Sequence, residues 1–243
     1  MKWIKEILGR IFALWAAIVF IGSLLIIFIP IWLLGYIKEP KRTFYVFKIF
    51  YVWMSFFFIL SGVKRKFTGK EHFKKGENYI VVCNHNSFMD VPLSSAGIPT
   101  ANKTIAKKEM AAIPFFGMIY KRGSVLVDRK SEDSRRQSYN KMKEVLSYGL
   151  HMCIYPEGTR NKTAEPLQRF HDGAFKLATE TQKQIIPAVI FNTGKVLPRK
   201  PFYFWPYKVE MHFLPAVSVN NKTVQQLKDE VYLMMKDFIE SSK

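Results

Sequence analysis

Tyr79-Ile80-Val81-Val82-Cys83-Asn84-His85-Asn86-Ser87-Phe88-Met89-Asp90 reads as a short β-branched run that ends abruptly in polar residues. The apolar part, Tyr79 to Cys83, has the composition of a strand, and the residues after it favour a loop and the start of a helix. A helix beginning at Ser87, whose hydroxyl is a good N-cap, places Asp90 in its first turn. From there the carboxylate reaches back to the imidazole of His85. A carboxylate on one ring nitrogen fixes the tautomer and leaves the other nitrogen free to accept a proton, which is how a general base is assembled. Taken alone, a histidine five residues before an aspartate is more often a hydrogen-bonded loop than a catalytic pair.

The alternation of short β-branched runs with helical stretches continues toward the C-terminus. Strands are predicted at Ser124 to Val127, Met152 to Tyr155, Ile185 to Phe191 and Lys208 to Phe213, with helices between them. Ser134 to Gly149 carries Tyr139, Met142, Val145 and Leu146 on one face and stops at a glycine, and Gly173 to Thr181 is a shorter helix. Val224, Leu227, Val231, Met234, Met235 and Phe238 mark a packing helix at the C-terminal end. The pattern predicts an α/β fold, a central β-sheet core flanked by helices, with ligands at the strand ends.

Toward the N-terminus the composition changes. Ile11 to Ile37 is 27 residues without a charge, a helix of about 40 Å against a hydrocarbon core of about 30 Å. Ile49 to Val63 has 15 uncharged residues and six aromatics; at about 22 Å it is expected to dip into the interface rather than cross. No small-residue cleavage site follows the first run, which argues against a secretory signal. Lys2, Lys5 and Arg10 before it nearly balance Lys38, Lys41, Arg42 and Lys48 after it. That balance fits a hairpin entering one leaflet and bending at Gly22 or Pro30, or else a single tilted span. The chain therefore divides into an N-terminal two-helix membrane-associating element, residues 1–63, and an α/β domain, residues 64–243. Lys64, Arg65, Lys66, Lys70, Lys74 and Lys75 open the second part, a patch suited to anionic headgroups.

Across 243 residues, 37 Lys and Arg oppose 19 Asp and Glu, a formal charge of +18 that calls for an anionic partner. With 49% hydrophobic and 15% aromatic residues, the chain is not a disordered basic tail. Nucleic acid is a poor partner, because the aromatics concentrate in the uncharged runs and not among the basic residues. Cys83 and Cys153 cannot make a disulfide framework and suit a reducing compartment; His72, His151, His171 and His212 are scattered without metal-ligand spacing, so no metal is expected. No Gly-x-Ser-x-Gly is present. Cys83, two residues before His85, is either a thiol nucleophile or, more commonly at a strand end, a small packing residue.

After the strand predicted at Met152 comes Tyr155-Pro156-Glu157-Gly158-Thr159-Arg160. Gly158 and Thr159 present backbone N–H groups, Thr159 a hydroxyl and Arg160 a guanidinium fork, all suited to phosphate oxygens. Glu157 repels a phosphate and suits holding the loop or an arginine in place. A β-turn with a surface ion pair is the plain alternative. Arg129 and Lys107 join this cluster if their strands are neighbours.

Four blocks in this order, Asn84-His85 through Asp90, Gly123 through Arg129, Tyr155 through Arg160, and Ile186-Pro187-Ala188, resemble the glycerolipid acyltransferase family. Lys107 with Ile113-Pro114-Phe115-Phe116-Gly117 is similar to its linking segment, and Tyr155 stands where phenylalanine is usual. The resemblance implies that His85 is the general base and Asp90 its orienting partner. It further implies that Lys107, Arg129, Glu157, Gly158, Thr159 and Arg160 form the acceptor phosphate site and that Pro187 shapes the pocket wall. The implied reaction moves a fatty acyl group from acyl-CoA or acyl-carrier protein, with no cofactor, to the sn-2 hydroxyl of lysophosphatidic acid, giving phosphatidic acid. Membrane lipids are implied partners, and the expected location is the cytoplasmic face of a bacterial inner membrane. Acylation of another lysolipid, such as lyso-ornithine lipid, and non-enzymatic binding of anionic lipid are the alternatives. The second leaves the His85 and Asp90 block without a purpose.

Overall fold

The computed structural model describes residues 2–242. Two helices come first, α1 (Lys2–Leu33) and α2 (Lys41–Leu60), followed by β1 (Arg65–Thr68), β2 (Ile80–Cys83), α3 (Asp90–Gly97) and β3 (Asn102–Lys107). The chain continues through α4 (Phe116–Gly123), β4 (Ser124–Val127), α5 (Glu132–Ser147), β5 (His151–Ile154), α6 (Gly173–Thr181) and β6 (Ile185–Phe191). It closes with α7 (Thr193–Val196), β7 (Val209–Phe213) and α8 (Val224–Ser241). Among the described residues, seven strands form one sheet in the order β1-β7-β6-β2-β5-β3-β4, parallel throughout except where β7 runs against β6.

Helices cover both sheet faces, so the central strands β2 and β5 are buried at every residue. Alternation along β2 sorts the core into two layers. Val81 and Cys83 face α1, α2 and α3, whereas Ile80 and Val82 face α5, α6 and α8. This is the α/β architecture expected from the sequence. Two strands were not expected, β1 and β3. Asn102-Lys103-Thr104-Ile105-Ala106-Lys107 has too little apolar character to signal a strand, and pairing with β4 and β5 is what holds it extended. β1 carries a single apolar residue, Phe67, as suits a charged edge strand.

The N-terminal pair corrects two expectations. α1 continues through Gly22 and Pro30 without a break, and the chain reverses only between Tyr36 and Lys41. α2 starts at Lys41, ahead of the uncharged run, because exposed Lys41 and Lys48 extend the helix without entering its packed face and half-buried Arg42 pairs with Glu39; its 20 residues give about 30 Å. The helices are antiparallel and joined by buried polar contacts as well as rings: Trp53 Nε1 donates to Ser23 Oγ at 2.9 Å, and Phe20 packs on Trp53 and Phe57.

α1 also follows the α/β body along its length. Phe204 N–H donates to Gly9 O at 3.0 Å near one end, Phe20 and Phe28 meet Phe116 and Phe115 in the middle, and Gly35 lies against Arg122 at the other. Ala13, Ala16, Val19, Leu24 and Ile31 supply the packed stripe, while Trp3, Ile26 and Ile29 point outward. Only 22% of the apolar window of α1 and 33% of that of α2 is buried. An apolar surface of this extent belongs against lipid, so the chain is membrane-associated. The basic opening of the second part is less free than expected: Arg65 donates to Ser55 and lies over Phe58, and Lys66 pairs with Glu210.

At the first residue of β5, His151 is buried against Tyr79 and Phe73, and its Nδ1 accepts the Tyr79 N–H at 2.9 Å. Burial holds its pKa down to about 4. The unfolded imidazole takes its proton near 6.5 and the folded one only near 4, so stability is complete above pH 6.5 and declines as pH falls toward 4. The expected loss is about 3 kcal/mol across that window. His151→Gln, which can still accept the Tyr79 N–H but does not titrate, is expected to flatten this part of the thermal-midpoint profile; an unchanged acid limb would contradict the assignment.

Candidate active site

β2 ends at Cys83, and the next residue extends its pairing by side chain. Asn84 Oδ1 accepts the Ile190 N–H at 2.7 Å and Asn84 Nδ2 donates to Ile190 O at 3.0 Å, clamping the strand end to β6. The following loop is fixed by one carboxylate. Asp90 Oδ2 accepts the N–H groups of Asn86 and Ser87 at 2.6 and 2.8 Å and bonds His85 Nδ1 at 2.8 Å. α3 thus begins at Asp90 and not at Ser87. Asp90 ties down the turn that precedes its own helix, at the end where the helix dipole favours negative charge. Ser87 instead bridges outward, donating to Leu197 O at 2.8 Å.

This arrangement assigns the imidazole tautomer. A carboxylate already accepting two N–H groups offers only acceptor oxygen, so Nδ1 carries the proton and Nε2 keeps its lone pair. Asp90 is fully buried, whereas the His85 side chain is 18% exposed. Among the described residues no group bonds Nε2. The ring rests on Tyr155, whose centroid lies 4.5 Å away, and the Tyr155 hydroxyl is spent on buried Ser94 Oγ at 2.8 Å. Burial pushes that phenol up, so it stays neutral.

The resemblance implies a phosphate contact for Glu157, but its carboxylate is turned inward. One oxygen accepts the His85 N–H at 2.7 Å and the other the Gln168 N–H at 3.0 Å. Burial raises its pKa, opposed by those two bonds. It braces the loop behind His85. Asn161 N–H returns a bond to His85 O at 2.6 Å, so the segment after β5 grips His85 on both sides of its backbone.

The residues expected at the phosphate site stand at the same edge of the sheet. Gly158 has φ +71, and a Cβ there would come within 2.9 Å of the His171 ring and 3.9 Å of Arg129 Nη1. Glycine is therefore required both for the turn and for the close approach. Arg129, two residues past β4, does reach the loop after β5 across the intervening β3. Arg160 lies with its guanidinium carbon 3.7 Å from the centroid of the Phe88 ring. Thr159 Oγ1 bonds its neighbour's carbonyl at 3.3 Å, and Lys107 closes β3 with its ammonium 3.3 Å from Glu109. Pro187 lies within β6 opposite Val82, inside the sheet.

Two residues near the loop were not singled out from the sequence. His171 carries no metal-ligand spacing in the sequence, yet its N–H donates to Pro156 O at 2.9 Å and its ring covers Gly158. Gln168 secures Glu157. Both lie in a loop that folds back on itself, and only the basic, aromatic character of Arg169-Phe170-His171 hinted at it. Cys83 is no nucleophile: it is fully buried, burial pushes its thiol up, and its Sγ faces Cys153 Sγ at 3.9 Å.

The sequence model of the Acyltransferase family matches residues 64–191. The 1-acyl-sn-glycerol-3-phosphate acyltransferase of Helicobacter pylori is 30% identical over 186 residues, 76% of this chain and 77% of that protein. The mouse 1-acyl-sn-glycerol-3-phosphate acyltransferase alpha is 30% identical over 178 residues, 71% of this chain and 62% of the longer mouse protein. Among solved structures, the 1-acyl-sn-glycerophosphate (LPA) acyltransferase PlsC from Thermotoga maritima is similar with a TM-score of 0.78. It covers 99% of this chain and 97% of that one at 24% identity, a likeness of fold.

Proposed function

Because the chain belongs to the acyltransferase family, we propose that it acylates the sn-2 hydroxyl of 1-acyl-sn-glycerol-3-phosphate from an acyl thioester, producing phosphatidic acid. The observation that carries the reading is the His85 Nδ1 to Asp90 Oδ2 bond at 2.8 Å, which leaves Nε2 as a lone-pair base at a strand end. His85 Nε2 takes the hydroxyl proton while the oxygen attacks the thioester carbonyl. The C–S bond then breaks, and the thiolate leaves with the proton carried by the imidazolium, without an acyl-enzyme. Arg160, Arg129 and the Gly158 turn hold the acceptor phosphate, with Lys107 and Thr159 on the same edge and Pro187 behind it in the sheet.

Residues 1–63 anchor the enzyme and residues 64–243 carry the chemistry. The lysolipid keeps its tail in the bilayer and its phosphate at the surface, and a hairpin lying along the α/β body keeps the site at that depth. Extracting the tail would otherwise cost about 0.8 kcal/mol per methylene. Acyl-CoA and acyl-carrier protein are both anionic donors suited to a +18 chain, and the cytoplasmic face of a bacterial inner membrane is where such donors meet lysolipid.

The test is an acceptor comparison. Wild-type protein in detergent is expected to acylate lysophosphatidate in preference to lyso-ornithine lipid. Arg160→Ala is expected to raise the KM for lysophosphatidate by about 10- to 100-fold while kcat changes little. An Arg160→Ala enzyme with an unchanged acceptor KM would contradict the phosphate assignment.

A further inference from the structure

Phe88 lies between the two residues that define the base, and the residue is 57% exposed. The backbone on either side of it is immobilised. Asn86 and Ser87 donate to Asp90, Ser87 Oγ bonds Leu197 O, and the next side chain, Met89, is buried. An exposed phenylalanine on a rigid loop is a platform, and one group uses it: the Arg160 guanidinium, stacked with its carbon 3.7 Å from the ring centroid. Among the described residues, no carboxylate or carbonyl engages that guanidinium. An arginine held by a carboxylate has part of its fork occupied and its charge offset. Held on a ring face, it is oriented while all five N–H donors remain available in the plane.

We infer that Phe88 is a positioning residue for the acceptor: its ring preorients Arg160 for a phosphate monoester. The inference rests on the phosphate reading of Arg160 proposed above. Its mechanical content is that one loop sets two things at once. The Asp90 carboxylate that fixes the His85 tautomer also fixes the backbone carrying Phe88, so the distance from proton acceptor to phosphate clamp is built into residues 85–90. Preorganisation reduces the ordering cost of binding, because a free arginine side chain loses several rotatable bonds when it captures a phosphate.

The experiment is steady-state kinetics of the full-length protein in detergent with lysophosphatidate as the varied acceptor. Phe88→Ala is expected to raise the acceptor KM about tenfold, with kcat within about twofold and the donor KM unchanged. Phe88→Trp, which keeps a π face, is expected to restore the acceptor KM to within about threefold, whereas Phe88→Leu, apolar without a π face, behaves like alanine. On an Arg160→Ala background, adding Phe88→Ala is expected to change the KM by less than about twofold. Full retention of the Phe88→Ala effect on that background, or rescue by leucine, would mean that the ring contacts lipid or acyl chain directly and would overturn the inference. An unchanged KM in Phe88→Ala together with a raised KM in Arg160→Ala overturns the role of Phe88 alone. An unchanged KM in Arg160→Ala removes the phosphate reading and this inference with it.

Discussion

His85→Ala is expected to lower kcat by about 10³- to 10⁴-fold while the protein remains folded and still binds its acceptor. The size follows from the role of general base proposed for His85. The selectivity follows from the backbone. The His85 N–H is held by Glu157 and the His85 carbonyl by Asn161, and both bonds survive loss of the ring. The thermal midpoint is therefore expected to move by only a few degrees, for a loss of about 1 kcal/mol. Residual turnover above about one-hundredth of wild type would remove His85 as the base.

Asp90→Asn is expected to be nearly as damaging, with kcat down about 10³-fold, although the side chain barely changes in size. The amide keeps one acceptor oxygen, and all three donors share Asp90 Oδ2. With the amide oxygen in that place the bonds to Asn86, Ser87 and His85 persist, but the negative charge that stabilises the imidazolium formed in turnover is gone. The N–H₂ then takes the place of Asp90 Oδ1, a buried oxygen without a hydrogen-bond partner among the described residues, so a buried donor is left unsatisfied at about 1–3 kcal/mol. With the amide turned the other way, its N–H₂ faces three N–H donors and the loop loses its anchor. A lowered kcat together with a lowered melting temperature is therefore the result expected. Activity near wild type in Asp90→Asn would show that the base does not need the carboxylate charge.

Much of this architecture was legible in the sequence because the central strands are short, β-branched and bounded by polar loops. Ser124 to Val127 and Ile185 to Phe191 are strands at those limits, and Gly173 to Thr181 is a helix. What escaped was whatever depends on neighbours. β3 has almost no apolar signal and exists through pairing. α2 reaches back over Lys41 and Arg42 because an exposed charge, Lys41, and one paired with Glu39, Arg42, do not stop a helix. The base was legible as a His five residues before an Asp, but the way Asp90 serves both ring and loop was not, since that requires knowing where the helix starts. Glu157 shows the same limit from the other side. Its charge spoke against a phosphate contact, yet only the fold reveals that its two oxygens join the His85 backbone to Gln168. His171 and Phe88 acquire their places from loops that fold back, which no spacing rule anticipates.

The most direct measurement is product analysis by mass spectrometry, with purified wild-type and His85→Ala proteins given lysophosphatidate and acyl-CoA, and acyl-carrier protein as a second donor in parallel. Phosphatidate formed by the wild type alone, with one thiol released per product and no acylated protein detected, is the result expected. No phosphatidate from either donor, or equal yields from both proteins, would contradict the assignment of acyl transfer to this His85 and Asp90 site.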